Sequence, residues 1–239
     1  MKEKIQTFQD IIDSSNRIVF FGGAGVSTAS GIPDFRSSDG IYSKDYGYPP
    51  EVMISHGFYR DHTQEFFDFY RNNMLYLDAE PNAAHFALTA LEEKGKLTAV
   101  VTQNIDGLHQ KAGTKNVLEL HGSVLRNYCT RCGEFYNAEY IINSKGVPKC
   151  SCGSVIKPDV VLYQESLDQE IMEAGVTAIA NADLLIVGGT SLTVYPAAGF
   201  VSAFTGDNLV IINMSPTPHD RKADLVISGN IAEVFAGIE

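Results

Sequence analysis

The chain has 239 residues, 44% of them hydrophobic and 20% charged, and a formal net charge of -11. That length makes room for one large core domain carrying a small insert, and the acidic balance argues against nucleic acid, whose phosphates Lys and Arg must neutralise. An acidic surface suits a basic peptide, or simply keeps the protein in solution.

The N-terminal run Met1-Lys2-Glu3-Lys4-Ile5 mixes charge with apolar residues, so neither a secretory leader nor a membrane span is expected, and the protein is expected to be cytoplasmic. Ile5, Phe8, Ile11 and Ile12 recur at helical spacing, and Arg17 to Phe21 is a short, mostly apolar run closed by Gly22-Gly23. The pattern reads as helix, buried strand and glycine turn. That turn runs on through Gly23-Ala24-Gly25-Val26-Ser27-Thr28 to Ile32-Pro33-Asp34-Phe35-Arg36. Glycines after a strand let the backbone approach a ligand, and a helix starting near Val26 would aim its free N–H groups at a pyrophosphate. The usual dinucleotide fingerprint adds a third glycine and an acidic residue about twenty positions on. Thr28 stands where that glycine would be and a polar loop follows Arg36, so a hydride-transfer dehydrogenase is not expected.

A second polar cluster, Thr102-Gln103-Asn104-Ile105-Asp106-Gly107-Leu108-His109, follows the apolar run Ala99 to Val101. Open α/β sheets bind ligands at the carboxyl ends of their strands, so Gln103, Asn104 and Asp106 are expected to converge on the glycine loop's crevice. The plainer role for Asn104 or Asp106 is to cap a helix. Val117-Leu118 leads into Glu119-Leu120-His121-Gly122, which puts His121 at the same edge as the best placed general base among six histidines. All four cysteines follow, as Cys129-x-x-Cys132 and Cys150-x-Cys152. In a reducing compartment four thiolates in two close pairs suit one structural zinc ion, with no coordination position left for water. A positive φ at Gly153 would relieve the tight second turn. Short Val- and Ile-rich runs recur at Val160 to Leu162, Leu184 to Val187, Leu209 to Ile212 and Leu225 to Ile227. Together the runs indicate an α/β fold: a Rossmann-like, mostly parallel sheet with helices on both faces, plus a small zinc-ribbon module and a small helical module. The expected core domain comprises residues 1–36, 81–125 and 156–239, with a cofactor loop and helical module at 37–80 and the zinc module at 126–155.

In chain order, Gly23 to Arg36, Thr102 to Gly113, Leu120-His121-Gly122, the four-cysteine insert, Gly189-Thr190-Ser191-Leu192 and Ile212-Asn213 resemble the signature segments of the sirtuins, NAD-dependent protein lysine deacylases. The resemblance implies that Gly23, Ala24, Gly25, Ser27, Thr28, Asp34, Phe35 and Arg36 hold the pyrophosphate and nicotinamide ribose of NAD, with Phe35 shielding the reacting sugar carbon. It assigns Gln103, Asn104 and Asp106 to the nicotinamide and ribose pocket, and Gly188, Thr190, Ser191 and Asn213 to phosphate and adenosine contacts. His121 is implied as the catalytic base, with Asn104 and Asp106 beside it in the catalytic set. In the family's reaction the acyl-lysine oxygen attacks the ribose carbon of NAD, nicotinamide leaves, and the base lets a ribose hydroxyl attack in turn, yielding free lysine and acyl-ADP-ribose.

The substrates implied are acetylated lysine peptides or proteins, laid along Pro158 to Glu165 with Val160, Val161 and Tyr163 in contact. Two departures from the family pattern stand out: Cys150-Ser151-Cys152 is tighter than the usual second metal pair, and Tyr163-Gln164-Glu165 replaces Phe-Gly-Glu. Sirtuins that favour malonyl and succinyl groups carry a Tyr and, three residues later, an Arg. The matching positions here are Phe67 and Tyr70, while Arg71 lies one place late and is turned away by about 100°. Uncharged acyl groups, acetyl first, are therefore expected; the protein is also expected to be a monomer. The rival uses of the same site are mono-ADP-ribosyl transfer and desuccinylation or demalonylation.

Overall fold

Ile18 to Phe21 and Leu184 to Val187 carry no polar side chain and are fully buried, so both runs occupy the middle of a sheet covered on both faces. The computed structural model describes residues 1–35, 40–41 and 47–238. Helix α1 (Lys2–Ser14) precedes β1 (Ile18–Gly22), and the chain continues through α2 (Pro50–Met53), α3 (His56–Asp61) and α4 (Thr63–Asn73) to α5 (Ala83–Glu93), β2 (Leu97–Thr102), α6 (Leu108–Ala112) and β3 (Val117–Glu119). An insert follows: β4 (Gly122–Cys129), β5 (Phe135–Asn137), α7 (Ala138–Asn143) and β6 (Ile156–Val160). The remainder is α8 (Gln169–Ala180), β7 (Leu184–Gly188), β8 (Asn208–Asn213), β9 (Leu225–Ser228) and α9 (Ile231–Phe235).

The large sheet is wholly parallel, in the order β3-β2-β1-β7-β8-β9. Alternate side chains go to opposite layers, as strand geometry requires. Phe20, Val100, Ile186 and Val210 meet Phe8, Leu88 and Phe235 of α1, α5 and α9. Val19, Phe21, Val101, Val187 and Ile211 meet Ile179 of α8 and Phe200. Each such side chain stabilises the fold by about 1.5–3 kcal/mol, so a polar substitution in β1 or β7 would be felt on either face.

Sequence pattern groups Val160 to Leu162 with the parallel strands, but β6 instead belongs to a separate antiparallel sheet, order β5-β4-β6. An apolar run of this length does not encode its pairing partner, and Pro158, which has no N–H, is tolerated because β6 is an edge strand. Phe58, Phe66 and Phe67 of α3 and α4 share a third core with Ile141, Ile156 and Val160. Among the described residues no helix is long and apolar enough to cross a membrane.

Candidate active site

The order of the large sheet reverses at β1, which has β2 on one side and β7 on the other. In an open α/β sheet such a switch point is where a ligand crevice forms, at the carboxyl ends of the strands. A cavity of about 1150 Å³ fills it. Gly23, Ala24, Gly25, Ser27, Thr28, Asp34, Phe35, Gln103, Asn104, Asp106, His121, Thr190, Ser191 and Asn213 all line this one space. Arg36 lies outside the described residues, and Gly188 is buried at the end of β7, off the cavity wall.

No α-helix starts at Val26. Ala24–Val26 and Thr28–Ser30 are single 3-10 turns, and Gly31 ends the second at φ 83°. The reason is tertiary: Asn82 Nδ2 donates to Val26 O at 2.8 Å and to Ser30 Oγ at 2.9 Å, taking the carbonyl that a continuing helix would use. The glycines also answer a need independent of any ligand. Gly25 N donates to Gly189 O at 2.8 Å, and a Cβ on Gly25 would stand 2.8 Å from Gly189 Cα. A Cβ on Gly188 would instead crowd the side chains of Ile231 and Phe20.

Ser27 Oγ is the hub of the polar cluster: it donates to Asp106 Oδ2 at 2.6 Å and accepts from Asn104 Nδ2 at 3.1 Å. Asp106 Oδ1 accepts Leu108 N–H at 2.9 Å, so this residue satisfies a free amide at the start of α6 and faces the cavity at once. Burial pushes the Asp106 carboxyl up, against the opposing pull of the Ser27 and Leu108 bonds. Gln103 ties this edge to the β7 loop, its Nε2 donating to Thr190 Oγ1 at 3.0 Å. His121 Nδ1 lies 2.9 Å from Gln103 O. A carbonyl only accepts, so Nδ1 carries the proton and Nε2 keeps its lone pair. Burial holds His121 below the ordinary histidine value, with the Gln103 bond opposing, and the ring is neutral near pH 7. A neutral imidazole on the wall of this large, glycine-rooted cavity can take a proton from a bound hydroxyl.

The Sir2 family model matches residues 23–196. The chain belongs to the Sir2 family. This Sir2 chain is 58% identical to the NAD-dependent protein deacetylase of Clostridium acetobutylicum, across 98% of its own length and 97% of the relative's. It is 46% identical to the protein of the same description from Staphylococcus aureus strain MW2, across 100% and 99%. A solved Sir2 structure with a deacetylated p53 peptide and 3'-O-acetyl ADP ribose matches with a TM-score of 0.90 at 39% identity, covering 98% of this chain and 99% of that one. A Sir2–p53 peptide–NAD+ structure matches with a TM-score of 0.86 at 40% identity, over 97% and 95%.

The same Sir2 cavity is lined by Val160, Val161, Tyr163 and Tyr70 as well as by His121. Phe67, expected beside Tyr70, does not reach it. Its ring is fully buried, edge-on to Phe66 at 5.2 Å, with the Arg71 guanidinium 5.6 Å above it. Arg71 itself turns to the insert, donating to Ile141 O at 3.0 Å and Ser144 Oγ at 2.9 Å. Asn230, a cavity residue that the motif reading passed over, follows β9 and caps α9. The strand-end rule that picks out Gln103 and Asn104 would have found it.

Cys129, Cys132, Cys150 and Cys152 bring their Sγ atoms within 4.8 Å of one another. The Cys129–Cys152 and Cys132–Cys150 pairs lie at 3.4 and 3.5 Å. Tetrahedral zinc with Zn–S of ~2.3 Å needs S···S separations of about 3.8 Å, so the donors could hold one zinc ion despite the tight second pair. Gly153 takes φ 86° after that pair, as its spacing demands.

Proposed function

We propose that this Sir2 chain is an NAD-dependent protein lysine deacetylase that acts on acetylated lysine peptides or proteins and releases nicotinamide and O-acetyl-ADP-ribose. The observation that carries the reading is His121, a neutral base whose cavity joins the glycine loop to the Val160–Tyr163 strand. The relatives' shared description as NAD-dependent protein deacetylases supports it. NAD, when bound, supplies the ribose carbon that receives the acyl oxygen and the hydroxyl that is then deprotonated.

The protein's part is binding and proton handling. The Gly23–Thr28 loop and Thr190-Ser191 hold the pyrophosphate, Asn213 the adenine ribose, and Asp34 and Phe35 the nicotinamide ribose. Gln103, Asn104 and Asp106 orient the nicotinamide end, with the Ser27 hub keeping Asn104 and Asp106 in register. His121 takes the hydroxyl proton on Nε2 while Gln103 O fixes the ring through Nδ1. Val160, Val161 and Tyr163 carry the peptide by backbone pairing, and Tyr70 meets the acyl group. Arg71 is engaged with the insert, so its guanidinium is not available to pair with an acyl carboxylate. Acetyl-lysine is therefore the expected substrate, in a cytoplasmic monomer.

Mass spectrometry of an acetyl-lysine peptide with and without NAD tests the reading. Deacetylation only with NAD, with one acetyl-ADP-ribose per lysine freed, is the expected result; ADP-ribosylated peptide would favour the transferase, and faster succinyl removal the desuccinylase.

The cysteines would hold zinc in a supporting role. Cys129 ends β4, whose partner is the peptide strand β6, and both cysteine pairs flank that sheet. Metal analysis is expected to find one zinc per chain, and a strong chelator to lower the melting temperature and peptide turnover together. Full activity in metal-free protein would remove this role.

A further inference from the structure

Gln164 is one of two non-glycine residues with positive φ among the described residues, at 75°. Left-handed backbone strains a residue with a Cβ, and glycine is the usual occupant. The side chain shows what accompanies the strain. Gln164 Oε1 accepts the Gly57 N–H at 3.0 Å, in the first turn of α3, where backbone donors have no partner inside the helix. Ser55 Oγ accepts a second of these donors, Phe58 N–H, at 3.2 Å.

Backbone bonds run beside this contact. Tyr163 N donates to Ile54 O at 3.0 Å, and His56 N to Tyr163 O at 2.9 Å. Glu165 braces the same turn: Oε1 lies 2.8 Å from His56 Nδ1, and Oε2 accepts from Lys157 Nζ at 3.1 Å and from Leu162 N at 2.9 Å. The turn at 162–165, which closes the peptide strand, is thus hung on α3. Helix α3 in turn shares its core with α4, which brings Tyr70 and Asn73 to the cavity.

We infer that Gln164 is a positioning residue for the peptide: it holds the 162–165 turn against α3 and so sets the Val160–Tyr163 strand relative to the acyl end of the cavity. The inference rests on the deacetylase reading. Gln164 lines the cavity beside Tyr163, but its side-chain bond goes to α3 and to neither the glycine loop nor His121, so its loss should fall on peptide binding.

Steady-state kinetics with an acetyl-lysine peptide and NAD separate the possibilities. Gln164→Gly removes the anchor and relieves the left-handed backbone, so the variant is expected to fold, with a melting temperature that can be checked directly. Its peptide KM should rise about tenfold, equivalent to ~1.4 kcal/mol. Its kcat and NAD KM should stay within about twofold of the parent, because only ground-state peptide binding is touched. Gln164→Glu keeps an acceptor at the same reach and should restore the parent peptide KM. An unchanged peptide KM in Gln164→Gly, a parallel rise in NAD KM, or failure of Gln164→Glu to restore binding would overturn the inference while parent turnover leaves the deacetylase reading intact. A parent chain with no NAD-dependent deacetylation would overturn both.

Discussion

His121→Ala is expected to lower kcat by about 10²- to 10⁴-fold, the range a positioned general base supplies, while NAD still binds. The selectivity follows from where the ring is held. Its Nδ1 bond goes to the Gln103 backbone, whereas the Gln103 side chain, Thr190 and the Ser27 hub keep their own bonds to one another. Removing the imidazole therefore subtracts the base and leaves the nucleotide wall standing. Titration calorimetry with NAD and single-turnover deacetylation measure the two effects separately, and substantial turnover by the variant would remove His121 from its role. The pH profile gives an independent check. The base must be neutral, and burial depresses its pKa, so activity should rise with pH below the ordinary histidine value and be level by neutrality.

The strand-end residues were legible in the sequence because parallel strands buried on both faces leave long apolar runs, and whatever polar residue follows such a run sits at the ligand edge. Gln103, Asn104 and His121 were found in that way, whereas Asn213 came from the family resemblance. What local pattern could not carry was anything decided by a distant partner. A glycine loop after a strand looks the same whether a helix follows or Asn82, 56 residues further on, takes the Val26 carbonyl. The Val160 run is as apolar as the core strands, yet pairs with β4. The family resemblance set Phe67 and Tyr70 together at the acyl positions, but which of the two faces the cavity depended on Phe66 and Arg71 closing over Phe67.

The second large effect concerns two histidines outside the chemistry. His85 and His109 are both buried, at 0% and 1% exposure, with ring centroids 4.7 Å apart. Asn82 N donates to His85 Nδ1 at 3.2 Å, so His85 carries its proton on Nε2, and neither nitrogen of His109 has a hydrogen-bond partner among the described residues. Burial holds His85 down to about 4, and burial with the neighbouring His85 holds His109 to about 3. Above about pH 6.5 both rings are neutral folded or unfolded, and the pair adds no pH dependence. As pH falls below that value the unfolded chain binds protons that the folded chain refuses, so stability is lost progressively towards the folded values. At pH 5 the loss is on the order of 2 kcal/mol for each ring, a large share of the ~5–15 kcal/mol that holds a typical domain together. Urea unfolding at pH 7 and pH 5 should show it, and His109→Phe, an apolar ring set against Phe20, should remove about half of the histidine-dependent loss. Identical pH dependence in parent and variant would rule the pair out as its source. Because the capping bond that protonation of His85 would break belongs to Asn82, the residue bracing Val26 and Ser30, NAD affinity should fall over the same pH range as the fold.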